Sequence, residues 1–504
     1  MSAADALEKI TSHAKETALL SSMMGLIEWD EQTYLPPGGG EYRAEQAAYL
    51  AGLVHQRETA AELGDWLGEL KQLTDAGDPQ SDGGCVARQF GRAYRRKAKL
   101  PQELVEQIAR TSSQTHHAWV SARRDDDFGS FQPWLEKMLK LRREEAEAVG
   151  YEASPYDALL DEYEPGETAE TVGAVLASLK EELTPLVSQI VDSEKKAPSE
   201  ILAREYPEAQ QEAFGKKAAE AIGFDFNTGR LDIAAHPFCG GAGPLDVRMT
   251  TRYQPNDFGD GFFSILHETG HGLYEQGLPT EHYGLPMGQA ISLGIHESQS
   301  RMWENLVGRS QGFWRHFFGP VCEAFPSALK GVNEEDWWFA VNESKPSLIR
   351  TESDEATYNL HIVIRFELER ALVEGDLAVA DLPGAWNDAY TNTLGVTPPS
   401  DANGVLQDVH WSAGLFGYFP TYALGNLYAA QFFDQAEEEL GDLESAFAKG
   451  EFQPLLGWLR EKIHAVGQRM TAAELVQDIT GQPLGHGPLM RRLRDKFGKL
   501  YDLR

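Results

Sequence analysis

His267-Glu268-Thr269-Gly270-His271 constrains this chain more than any other string in it. Histidines four apart project from one face of an α-helix, so both imidazoles reach one metal ion only if this segment is helical. The glutamate beside the first histidine stands where it can take a proton from water at that metal. The flanks agree with a helix over residues 257–276. Apolar residues recur at Phe258, Phe262, Ile265, Leu266, Leu273 and Tyr274. Asn256 and Asp257 offer a cap after Pro255, and Gly277 with Pro279 marks the stop. Gly270 and Gly272 each lower helix propensity by about 1 kcal/mol relative to alanine. Glycines kept inside a helix point to something passing close to its backbone.

Two histidines leave a hydrolytic metal site short of one ligand, since such sites use three protein ligands and keep one position open. The candidate is Glu297, in His296-Glu297-Ser298-Gln299. Residues 289–307 read as a second helix, with Gly308 as its stop. A Gly- and Pro-bearing turn over 277–288 lets the two helices pack as an antiparallel pair. The competing reading makes Glu297 a solvated residue paired with Arg301 one turn on. His296 reads equally well as a neighbour of the metal site and as a packed histidine.

Composition narrows the class. With 45 basic and 78 acidic side chains the formal charge is −33, which argues against nucleic acid as a partner, because phosphate binding needs a basic surface. No apolar run reaches 18 residues and the first residues lack a secretory pattern, so no membrane partner is expected and the cytoplasm is the simplest location. Cys85, Cys239 and Cys322 are scattered and odd in number, which fits neither a disulfide framework nor a cysteine metal site. Amphipathic helical patterns cover most of the chain, at 2–24, 41–70, 101–124, 131–149, 170–193, 199–222, 353–373 and 425–440. A mostly α fold follows. Nothing resembling a linker interrupts it, so residues 1–504 are expected to form a single catalytic domain, a helical body that can divide into two lobes around a groove.

Residues 231–238 and 246–253 are the exception. They read as short strands around a glycine turn at 240–243. A strand beside a metal helix can bind an extended peptide along its edge; a purely structural hairpin is the plain alternative.

Cleavage at a free C-terminus needs a group that recognises a carboxylate, and arginine does this best through a bidentate, charge-assisted bond. Arg350, just ahead of a helical segment, and Arg248, on the second strand, are the candidates. Gly404-Val405-Leu406-Gln407-Asp408-Val409-His410-Trp411, followed by Tyr418 and Tyr422, offers donors for the oxyanion of a tetrahedral intermediate.

These clusters also occur together. In chain order they are His236-Pro237-Phe238, Asp246-x-Arg248-x-Thr250, the histidine pair, His296-Glu297-Ser298-Gln299, Ile349-Arg350-x-x-x-Asp354 and Gly404-x-x-Gln407-Asp408-x-His410-Trp411. In that order they resemble the carboxypeptidase Taq family of zinc metallocarboxypeptidases, as do Trp29–Gly39 with Arg43 and the segment 489–503. The resemblance spans essentially the whole chain; Ser353 departs from the family's usual alanine. It implies a mostly α, neurolysin-like fold with a deep groove lined by a small sheet. It also implies a homodimer that removes single residues from the C-termini of peptides with broad preference. By matching positions, His267, His271 and Glu297 would bind Zn2+, for which Co2+ or Mn2+ can substitute, and Glu268 would be the general base. Arg350 would bind the substrate carboxylate. His236, Asp246 and Arg248 would shape the closed end of the groove. Gln407, His410, Tyr418 and Tyr422 would contact substrate or the developing oxyanion. A related zinc oligoendopeptidase, which needs no carboxylate-binding arginine, is the rival enzyme; a non-catalytic metal-binding scaffold is the rival non-enzyme, with Glu268 speaking against it.

Overall fold

The computed structural model describes residues 2–74 and 78–503. Helices make up 69% of it, and the sheet has three short strands. Five helices matter for the site: α1 (Ala3–Thr33), α2 (Phe258–Gly277), α3 (Leu293–Arg301), α4 (Tyr358–Glu374) and α5 (Pro420–Leu440). Local chemistry sets their starts. In α1, Ser2 and Asp5 form a reciprocal capping box. The Asp257 side chain accepts from the Asp260 amide at the head of α2, and Ser292 accepts from Ile295 at the head of α3.

One large apolar core runs from Trp119 to Tyr501 and takes in the sheet and α2 to α5. A second cluster joins Ile10, Leu67 and Val86 of the N-terminal helices to Leu285 and Met287 from the connection between α2 and α3. In helix α4 every residue from Tyr358 to Phe366 is buried. Its polar members Asn359, His361, Arg365 and Glu369 therefore need internal partners, and they supply much of what surrounds the site.

The two helices expected around the metal motif are present, α2 within a residue of the predicted range. The second predicted helix, 289–307, starts later, at its Ser292 cap. Beyond Arg301 it widens into a π-helical turn, Met302–Val307. The single helix predicted over 41–70 is two, Gly40–Glu58 and Ala61–Thr74, separated at Thr59, whose hydroxyl donates to the His55 carbonyl.

The expected strand pair is corrected. Strand β1 is Gly229–Ile233, β2 is Cys239–Gly241 and β3 is Val247–Thr251. The order is β1-β3-β2, with β1 parallel to β3 and β2 antiparallel to it. The two predicted strands thus run side by side in the same direction, and part of the predicted turn is itself a strand. Pro237, which has no amide hydrogen to donate, sits in the connection rather than in a ladder.

The sheet lies between α2 and α1. On one face, the Met249 sulfur approaches Gly272 of α2. On the other, Trp29 of α1 lies under the guanidiniums of Arg230 and Arg248, 4.8 and 4.3 Å from its ring. Gly25 of α1 faces the Gly241 carbonyl so closely that a Cβ there would sit 2.7 Å from the oxygen.

Candidate active site

Close approach of three helices builds the centre. A Cβ at Gly270 of α2 would lie 2.5 Å from both the Gln299 carbonyl oxygen and the Ser300 Cα of α3. One at Gly425 of α5 would lie 2.5 Å from Glu297 Cγ. Both glycines are therefore steric requirements. They bring His267 and His271 against Glu297, whose Oε2 is 3.7 Å from His267 Nε2 and 3.5 Å from His271 Nε2. The ligand atoms of these three side chains all lie within 4.8 Å of one another. Glu297 does pair with Arg301, through Oε1 at 2.7 Å, but it is buried, and the pairing leaves Oε2 for the histidines.

The donor set fits a divalent metal. Each histidine has its Nδ1 engaged: His267 with Glu304 Oε2 at 2.9 Å, His271 with the His296 carbonyl at 3.1 Å and with His296 Nδ1 at 2.6 Å. His296 continues the chain through Nε2 to Glu275 Oε1 at 2.9 Å. Both ligand rings are thereby oriented with Nε2 free to donate a lone pair. Glu304 reaches His267 from the π-helical turn after α3, a geometry that recurs at functional sites. Burial pushes the His271 ring down to about 3. At His267 burial acts in the same direction, but Glu297 and Glu304 outweigh it and draw positive charge to the ring. That field also favours a metal cation.

Glu268 is 6% exposed, and burial pushes its carboxyl up to about 7; a dication beside it would pull the other way. Edge strand β2 packs against α2, and burial first, then the Glu268 carboxylate, raise the Cys239 thiol.

On the other side of Glu297 lies a buried cationic cluster. Arg301 stacks on Tyr358 at 4.2 Å, and Arg350 Nη1 donates to the Tyr358 hydroxyl at 3.1 Å. Asp408 accepts from Arg350 through Nε at 3.0 Å and Nη2 at 2.8 Å, and from Arg365 Nε at 2.6 Å. Burial opposes the Asp408 charge, yet the two guanidiniums hold its carboxyl far below the usual range. Burial also pushes His410 down to about 3, so that ring is neutral. Two guanidiniums against one carboxylate leave one buried positive charge. His410 Nε2 is 3.2 Å from the Tyr422 hydroxyl, and Tyr418 packs against both rings. Burial raises Tyr422 well above its ordinary value, so it stays a hydroxyl.

The structure thus gathers His267, Glu268, His271, Glu297, Arg350, His410, Tyr418 and Tyr422 around one centre. Gln407 is nearby, but its amide serves protein partners: Oε1 accepts from the Arg350 backbone and from Arg365, and Nε2 donates to Leu348, Tyr390 and Asn403. Three expected residues lie apart. His236 is exposed in the loop after β1. Asp246 chelates Arg248 at 2.8 and 2.9 Å on the sheet face turned toward α1, away from the metal helix. Sequence reasoning gave no role to Glu304, Tyr358, Arg365, Asp408 or Trp29. Glu304 carried a readable signal: it stands seven residues after Glu297, on the same helical face.

A family model for the carboxypeptidase Taq (M32) metallopeptidases matches residues 9–497. The chain belongs to the M32 family. It is 48% identical to thermostable carboxypeptidase 1 of Thermus thermophilus, over 98% of this chain and 99% of the relative. With carboxypeptidase 1 of Bacillus subtilis it shares 37% identity over 97% of each. Among solved structures, an M32 carboxypeptidase from Deinococcus radiodurans R1 superposes with a TM-score of 0.95 at 41% identity, covering 99% of this chain and all of that one. A Pyrococcus furiosus carboxypeptidase does so at 0.93 with 34% identity, over 98% and 99% of the two chains. The M32 chain is accordingly a metallocarboxypeptidase, and the oligoendopeptidase alternative is not favoured. Family membership implies a divalent metal, and the His267–His271–Glu297 group can hold it. Among the described residues no helix is long and apolar enough to cross a membrane.

Proposed function

We propose that this chain removes single residues from peptides bearing a free C-terminal carboxylate, with Zn2+ held by His267, His271 and Glu297. The observation that carries the direction of attack is the unbalanced charge of Arg350, Arg365 and Asp408 beside the metal ligands. A buried uncompensated charge is costly, so an incoming carboxylate is favoured there. Asp408 occupies the Nε–Nη2 edge of the Arg350 fork and Tyr358 takes one Nη1 hydrogen, which leaves one hydrogen on each Nη for an incoming anion.

The metal, when bound, supplies Lewis acidity that polarises the scissile carbonyl and makes water more acidic. Glu268 takes the proton from the attacking water on its carboxylate and delivers it to the departing amine. The Tyr422 hydroxyl, held by His410, donates to the developing oxyanion, with Tyr418 closing the same wall. Glu304 and the His296–Glu275 pair keep the two ligand rings oriented. Asp246 and Arg248 shape the sheet side of the groove through Trp29 of α1, and His236 does so from the exposed loop after β1, rather than touching the reacting atoms.

Two imidazoles and one carboxylate suit zinc, and cobalt or manganese can replace it. Residues 1–504 act as one catalytic unit, which the continuous core around the site supports. The protein works in the cytoplasm, consistent with three unpaired cysteines. It works as a homodimer, as the resemblance of its motifs implies.

Mass spectrometry of a defined peptide with a free or an amidated C-terminus tests the reading. Stepwise shortening of the free form alone is expected. Equal cleavage of both forms would reject it.

A further inference from the structure

Three guanidiniums crowd one side of the metal position, those of Arg301, Arg350 and Arg365, with side chains no more than 12% exposed. Arg350 and Arg365 share Asp408, while Arg301 serves Glu297 and Glu304. One side chain touches a cation of each group. The ring of Tyr358 lies 4.2 Å from the Arg301 guanidinium, and its hydroxyl accepts from Arg350 Nη1 at 3.1 Å.

A phenol suits that place by its charge as well as its shape. Its face attracts a guanidinium and its oxygen accepts a hydrogen bond, yet it brings no charge of its own. A carboxylate there would cancel the positive charge that an incoming carboxylate meets. An aliphatic side chain would take a partner from a buried Arg350 hydrogen, which is costly. Tyr358 is itself fixed. It opens α4, its amide donates to the Asp354 carbonyl at 2.9 Å, and the Asp354 carboxylate accepts from the Ser344 hydroxyl and from the amides of Ala356 and Thr357. The Tyr422 ring stands edge-on beside it.

What the ring does to Arg301 reaches the metal ligands. A guanidinium donates in its own plane, so a ring on its face sets where those donors point. Nε meets Glu297 Oε1 at 2.7 Å, and Nη1 meets Glu304 Oε2 at 3.2 Å. Glu297 is thereby turned so that Oε2 faces the histidines, and Glu304 is held where it reaches His267 Nδ1 at 2.9 Å. The hydroxyl acts separately. Nε and Nη2 of Arg350 lie on Asp408, and the bond from Nη1 fixes the rest of the fork.

We infer that Tyr358 is a positioning residue with two separable roles: its ring holds Arg301 in the orientation that aligns Glu297 and Glu304 with the metal, and its hydroxyl holds the Arg350 fork for the substrate carboxylate. The hydroxyl role rests on the carboxypeptidase reading above; the ring role rests on the metal site alone.

Tyr358→Phe and Tyr358→Met separate the two. Zn2+ retention is measured by competition with a chelator, and steady-state kinetics use a peptide with a free C-terminus. Tyr358→Phe keeps the ring, so its Zn2+ dissociation constant is expected within twofold of wild type, while KM rises at least fivefold and kcat changes less. Tyr358→Met, which fills the space without a planar face, should also raise the Zn2+ dissociation constant at least tenfold. Tyr358→Leu takes its place if thermal unfolding shows that Tyr358→Met does not fold. An unchanged KM in Tyr358→Phe overturns the hydroxyl role. Zn2+ held as tightly by folded Tyr358→Met or Tyr358→Leu as by Tyr358→Phe overturns the ring role. A wild-type enzyme that fails to shorten the peptide from its carboxyl end would instead overturn the carboxypeptidase reading and the hydroxyl role with it, and the Zn2+ comparison still decides the ring role.

Discussion

Glu268 and Glu297 are both buried carboxylates near the same two histidines, and their surroundings push them apart. Glu297 has Arg301 on one oxygen and stays ionised, while burial raises Glu268. One is therefore suited to holding a cation and the other to exchanging a proton. Glu268→Gln is expected to keep its metal and lose about 10²- to 10⁴-fold in kcat, the range for a removed general acid–base. Metal analysis beside steady-state kinetics checks this; near-normal turnover would remove the assignment. Arg350→Lys should lower kcat/KM for free-carboxylate peptides by about 10- to 10²-fold, because an ammonium cannot bridge Asp408 and substrate as a planar fork does. Unchanged kinetics in that variant would place carboxylate recognition elsewhere. Spacing alone made His267, His271 and Glu268 legible, because helical geometry converts i, i+4 into a shared face. Arg365 escaped notice, and Asp408 was read only as a member of the 404–411 motif, because their meaning is pairwise: neither shows its role until Asp408 is seen between two arginines.

Helix packing decides how well the ligands meet. Gly270 is the point where α2 touches the α3 backbone, so Gly270→Ala must push the two apart. A destabilisation of about 1–3 kcal/mol, typical of overpacking, is expected in urea unfolding, together with weaker metal retention on dialysis. Undiminished stability and metal content would show that the helices are not locked there. The long periodic helices were readable and α2 was placed almost to the residue. The strands were not, because apolar alternation identifies a strand but not its partner. The 229–233 and 247–251 segments pair in parallel across a connection too long to announce itself. The π-helical turn was hidden as well, since one extra residue in a turn leaves no compositional trace.

At the scale of the molecule, a charge of −33 acts against compactness through self-repulsion. Raising NaCl from 0.05 to about 1 M shortens the Debye length from roughly 14 to 3 Å, so the thermal midpoint should rise; a flat or falling midpoint would mean the acidic side chains are already locally balanced. A second pH-dependent contribution comes from Glu369 in the core, which accepts from Tyr156, Trp411 and the Gly417 amide. Burial nevertheless raises its carboxyl from 4.5 to about 7. With the folded value above the unfolded one, its contribution is fully present below about pH 4.5 and is lost as pH rises through about 7. Glu369→Gln should flatten the urea midpoint across that window relative to wild type, and parallel profiles would count against the argument. Finally, Gly425, the residue of α5 that presses on Glu297, lies far along the chain from the ligand it meets. A ribosome adding about 5–20 residues per second would release the ligand helices several seconds before that wall exists. Hydrolytic competence therefore arrives late in synthesis, and a growing chain is not exposed to a finished peptidase of its own making.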